Sequence, residues 1–158
     1  MSAMKYKSKM SAKQFDNIIK RLRLTKTKVQ SATERASEQI GNFMLDESVR
    51  LCPRDTGTLE SSLRLALSQE GREYVAKVYI TPVQNPKYTG AIGGRPRYST
   101  DYARYAHDLI EPEGYKNRGP GTQAKGDDAG GGFMRRALHD NANEYFEIYR
   151  RALHAEVK

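Results

Sequence analysis

The sequence predicts an α+β fold: two long helices packed on a small antiparallel β-sheet, with long Gly/Pro-rich loops and a basic N-terminal arm. Three observations carry this. Apolar residues recur at helical spacing up to Leu51 and again from Phe133 onward. Between these patterns, two short runs alternate apolar and polar residues with the period of a strand. The stretch Cys52-Pro53-Arg54-Asp55-Thr56-Gly57-Thr58-Leu59-Glu60-Ser61-Ser62-Leu63 separates the first helix from the alternating runs and is punctuated as a hinge. Residues 1–24 are read as a basic arm containing a short amphipathic helix, and 25–158 as a single α+β domain, long enough to bury its own core.

Residues 1–10 show no period. Ser11 can cap a short helix in which Phe15, Ile18, Ile19 and Leu22 fall at i, i+3, i+4 and i+7. Packing on its own domain or on a neighbouring subunit is preferred for this stripe. A membrane-surface helix is disfavoured, because the segment is short and has one aromatic on its apolar face. Leu24-Thr25-Lys26-Thr27 is expected to interrupt the helix. A longer one then runs to Leu51 through Val29, Ala32, Ala36, Ile40, Phe43 and Met44. Gly41 inside it costs about 1 kcal/mol against Ala, which suggests a close approach of another backbone. Ala32 and Ala36 would also let a strand or helix pack near.

In the hinge, Pro53 lacks an N–H and pushes Cys52 out of the helical region, so the helix should stop there. Asp55 and Thr56 can bond nearby amides, and Gly57 can take a positive φ. A short helical turn or a strand should follow, with Leu59 the first apolar residue after the turn. Leu63, Leu65 and Leu67 then alternate with Arg64, Ala66 and Ser68. After a turn at residues 70–73, Ala76, Val78 and Ile80 suit the buried face of a second strand. Residues 82–100 carry Pro82, Pro86, Gly90, Gly93, Gly94 and Pro96 and read as an extended loop. Residues 112–132 form a second, Gly-rich loop, of a length that is functional or disordered in compact domains; in a subunit of an assembly such a loop can reach a neighbour and order there. Residues 133–157 read as one helix with a wide apolar stripe, Met134, Ala137, Leu138, Tyr145, Phe146, Tyr149 and Leu153 included.

The hydrophobic share of 37% and mean hydropathy of −0.80 are low for a globular domain. A thin core with exposed helical faces explains that, and so does a subunit completed by its neighbours, the reading preferred here. Ten tyrosines and no tryptophan suit wet interfaces or an ordinary surface equally. The formal charge of +8 sits entirely in residues 1–30, where nine basic residues face Asp16 alone. Lys5, Lys7, Lys9, Lys13, Lys20, Arg21 and Arg23 from this arm, with Arg95 and Arg97 from the first loop, are the candidate contacts to DNA or to an acidic partner. The plainer reading, a solvated arm, is the preferred one for a charged terminus. With no apolar run of membrane length and no signal-peptide core, no membrane partner is expected, and synthesis and assembly in the cytoplasm are.

No catalytic, cofactor or metal constellation is found. Cys52 is the only cysteine, expected as an inert, partly buried thiol. His107 beside Asp108 has only His139 and His154 as further candidate ligands, too few and too badly spaced for a metal. The glycines at 90, 93 and 94 lack the Gly-Lys-Ser/Thr of a phosphate-binding loop. Asp55-Thr56-Gly57 matches the string that carries the catalytic carboxylate of aspartic proteases, but it follows a long helix and lacks a β-rich body.

The string Pro53-x-Asp55-Thr56-Gly57-x-Leu59, then Ser62-Leu63, after a long helix resembles the tail-component family of long-tailed double-stranded DNA phages. The order of later features matches too: two strands, Tyr102-Ala103-Arg104-Tyr105, a Gly-rich loop, and Phe133-Met134-Arg135-Arg136-Ala137-Leu138. The likeness spans residues 30–155. Two departures are visible: His107–Pro112 stands where the family has a Glu-hydrophobic-Gly-Thr run, and the loop at 81–100 is long. By spacing alone residues 101–110 fit a helix or a strand, and the resemblance favours a strand. It further implies a virion protein of the neck or tail-completion class, a ring subunit at the head–tail junction. The implied partners are copies of itself, head-side connector or stopper proteins, and tail terminator or tail tube proteins, with packaged DNA a further candidate contact. The rival expectation is a nucleic-acid-binding accessory protein working through the basic arm.

Overall fold

Ser11 starts the first helix. Its hydroxyl accepts from the Gln14 N–H at 3.3 Å, and its own N–H donates to Gln14 Oε1 at 2.9 Å, a reciprocal capping box. From there α1 runs over Ala12–Leu51, 40 residues and about 60 Å. The computed structural model describes residues 11–54, 57–84, 98–100, 103, 120–126 and 129–157. The expected interruption at Leu24–Thr27 is absent. Leu, Arg and Lys there are good helix formers, and Thr27 returns its hydroxyl to the Arg23 carbonyl at 3.2 Å, so a β-branched polar residue is accommodated without a break. The described part of the arm and the domain therefore share one continuous helix.

α1 ends where Pro53 requires. Cys52 is extended, with φ −61° and ψ 129°. Gly57 has φ +81°, Ser61 N–H donates to the Gly57 carbonyl at 2.9 Å, and a 3₁₀ turn at Glu60–Ser62 leads into the sheet. Strands β1 (Leu63–Glu70) and β2 (Glu73–Ile80) pair antiparallel, with Leu63 opposite Ile80, Leu65 opposite Val78 and Leu67 opposite Ala76. Gly71, with φ +66°, stands first in the two-residue turn. α1 crosses the face that carries these residues. A Cβ on Gly41 would stand 2.8 Å from Leu65 Cδ1 and 3.0 Å from Ala76 Cβ, so the approach expected at Gly41 is made by sheet side chains rather than by a backbone. Burial fades along β1, and Leu67 is half exposed.

After the sheet, Ser99 closes the first long loop at its base. Its hydroxyl donates to the Thr81 carbonyl at 2.7 Å and accepts from Val83 N–H at 2.9 Å, and Gln84 bridges to Tyr98. Residues 99, 100 and 103 are helical, against the strand expected for 101–110; the other residues of that stretch lie outside the described residues. A short turn of helix, α2 (Pro120–Gln123), precedes α3 (Phe133–Asp140) and α4 (Ala142–Val157).

The single helix expected over 133–157 is two. Asn141 breaks it by donating its side-chain amide to the Ala137 carbonyl at 3.0 Å, the acceptor its own backbone N–H would take in a continuous helix. The Tyr145 hydroxyl donates to the same carbonyl at 2.6 Å. α4 then runs antiparallel along α1. Phe43 meets Tyr145 edge to face at 5.7 Å, and Arg35 pairs with Glu156. Ala32 and Ala36, fully buried, let the two helices close up.

The core lies at one end of this frame. Leu51, Cys52, Leu59, Leu63, Ala103, Phe133 and Ala137 form it, with Leu45, Val49, Val78, Ile80 and Met134 packed against it. The hinge thus supplies the centre of the core, where α1, the sheet and α3 meet.

Candidate assembly surface

The hinge is held from behind by the end of the Gly-rich loop. The Thr122 hydroxyl accepts from the Arg54 N–H at 2.8 Å and donates to the Arg54 carbonyl at 3.1 Å, and is itself 2% exposed. Lys125 donates its ammonium to the carbonyls of Val49 and, at 3.1 Å, Cys52, satisfying the open C-terminal end of α1. It also stands 3.5 Å from Glu60 of the 3₁₀ turn, and Arg54 stands 3.7 Å from the same carboxylate. Gly130 N–H donates to the Leu51 carbonyl at 2.9 Å. Gly121 is required here, because a Cβ on it would stand 2.6 Å from the Arg54 carbonyl oxygen. The described end of this loop is therefore bonded to its own subunit. Lys125→Met is expected to lower stability by about 2 kcal/mol, read by urea denaturation, because two carbonyls and a mostly buried carboxylate lose a charged donor together.

Of the hinge motif, Pro53 and Leu59 are buried and Gly57 makes the turn, so these residues shape the core and offer no surface. Asp55 and Thr56 lie outside the described residues. Cys52 is fully buried, and desolvation pushes its thiol up to about 12, the Lys125 charge opposing and Glu60 adding to the rise. It is an inert core residue.

The other feature is the N-terminal half of α1. From Ala12 to Gln30 nearly every residue is exposed. Lys13, Lys20, Arg21 and Arg23 stand on it with Lys26 and Lys28, against Asp16 alone. The apolar stripe stands uncovered beside them: Phe15 is 53% exposed, Ile18 43% and Leu22 64%. Lys5, Lys7, Lys9, Arg95 and Arg97 lie outside the described residues, so the structure brings together only the helical members of the charged set. A partly open depression is lined, among the described residues, by Arg21, Leu24, Thr25 and Lys28.

Among the described residues no group of three or more His, Cys, Asp or Glu side chains is placed to hold a metal ion. His139 and His154 fall on separate helices, and His107 is outside the described residues. No helix among the described residues is long and apolar enough to cross a membrane. The strap formed by Thr122 and Lys125 was not foreseeable from sequence, since a Thr and a Lys in a Gly-rich loop carry no signal of a contact some 68 residues away. Comparison with protein-family models, curated proteins and solved structures finds no match to this chain.

Proposed function

We propose that this chain is a structural subunit of the head–tail junction of a long-tailed double-stranded DNA phage, a ring subunit of the neck or tail-completion class joining head connector to tail. The motif order described above supports the family. The observation that carries the reading is the arm: a helix continuous with the core that leaves large apolar side chains exposed. A monomer working alone gains nothing from Phe15 and Leu22 in water, whereas a subunit completed by neighbours covers them. Its partners are copies of itself, head-side connector or stopper proteins, and terminator or tube proteins, assembled in the host cytoplasm into the virion. Its work is surface complementarity, with no catalytic step.

Quantitative mass spectrometry of purified particles tests this. A neck subunit is present at a fixed ring number of copies per particle; absence from particles contradicts the reading. The basic charge on the arm favours one rival, a nucleic-acid-binding accessory protein. That protein would bind DNA with an affinity falling steeply with salt, in proportion to the phosphates neutralised. A neck subunit shows no such affinity for DNA, and loss of the basic arm need not abolish its docking.

A further inference from the structure

α1 carries one continuous apolar seam, and α4 covers only the half nearest the core. Phe15, Ile18, Leu22 and Val29 succeed Ala32, Ala36 and Phe43 along one face of the helix. α4 lies on the Ala32–Phe43 half and ends at Val157, where Glu156 reaches Arg35. Beyond that point no described residue covers the seam, and Phe15, Ile18, Leu22 and Val29 are exposed. We infer that this bare half is the docking site for an acidic amphipathic helix of another protein, seated end to end with α4. The inference deepens the proposed reading of the arm and rests on it only in taking the occupant to be a protein of the same assembly.

Shape selects a helix. α4 stands off α1 by a helix–helix spacing of about 8–10 Å, so it forms a ledge where the bare seam begins. A flat surface such as a bilayer would meet that ledge before reaching Val29. A helix in line with α4 meets no step. From Phe15 to Val29 the seam runs about 21 Å, enough for a helix-in-groove contact built on i, i+3 and i+7 anchors.

Charge selects an acidic partner. By helical spacing Arg21, Lys26 and Lys28 flank the seam, and Asp16 is the only carboxylate between Ala12 and Gln30. A second copy offering the same face would set like charges against each other. The uncovered apolar stripe on α4 is no better matched: Phe146, 65% exposed, has Asn143 and Arg150 one turn to either side. A different protein with Asp or Glu beside its apolar stripe satisfies both features.

The test uses the full chain and a fluorescein-labelled peptide of about 21 residues, with Leu at heptad positions a and d and Glu elsewhere. Its control carries Lys in place of Glu. Anisotropy is expected to show binding of the Leu/Glu peptide alone, weakened about tenfold by Leu22→Ser or by Phe15→Ser and weakened again by about 0.5 M salt. Both residues are exposed, and circular dichroism checks that each variant keeps its fold. Failure of the Leu/Glu peptide to bind, or equal binding to Leu22→Ser, overturns the inference. So does sedimentation showing a dimer of the chain that Leu22→Ser dissociates, or uptake by phosphatidylserine vesicles that depends on Leu22. Each of these leaves particle composition, and with it the neck reading, to be decided separately.

Discussion

Phe133→Ala is expected to destabilise the protein by about 4 kcal/mol, the largest loss of any single side chain considered. Phe133 is fully buried and opens α3 against Leu51, Cys52, Leu59 and Leu63. Its ring therefore joins the end of α1, the hinge, the start of β1 and the last helical layer. Removing it leaves a cavity bounded by backbone held from several sides. Gly130 N–H is tied to the Leu51 carbonyl and Thr122 to Arg54, so the walls have little freedom to collapse. Urea denaturation of the wild type and variant measures the difference. A loss below about 1 kcal/mol would mean that the hinge is not the centre of the core.

Cys52 makes stability fall in alkaline solution. The folded thiol is pushed up to about 12 from its ordinary value of 9.0, chiefly because burial disfavours the thiolate. Between those values the unfolded chain releases a proton that the folded chain keeps. The contribution is therefore fully present below pH 9 and is lost as pH rises toward 12, at roughly 1.4 kcal/mol per pH unit and roughly 4 kcal/mol in all. Tyrosines and lysines titrate in the same range, so the measurement is the difference between the wild type and Cys52→Ala at each pH. The wild type should lose stability faster above pH 9. The same burial predicts that a thiol reagent modifies Cys52 only as fast as the chain unfolds. Parallel pH profiles for the two proteins would refute the burial account.

Local signals were legible in the sequence, and long-range ones were not. Ser11 as a cap, Pro53 after Cys52, and the alternation from Leu63 to Ile80 each determine structure within a few residues, and each marks an element end or a strand pairing. Expectation and structure differ where a side chain competes for the backbone. Thr27 bonds back into α1 and keeps it whole, while Asn141 takes the Ala137 carbonyl and splits the last helix. Residues of one type class, both polar and helix-neutral, act in opposite senses there, so composition does not separate them. At Ala103 the resemblance favoured a strand and the backbone is helical. The charge concentration in the arm was plain from the sequence, but its meaning was not: only the path of α4, which stops beside Arg35, leaves the stripe from Phe15 to Val29 without a partner among the described residues.

The most direct test of the neck reading is negative-stain microscopy of particles made after this gene is disrupted in the virus that encodes it. The reading predicts filled heads separated from finished tails. Normal, infectious particles would contradict it.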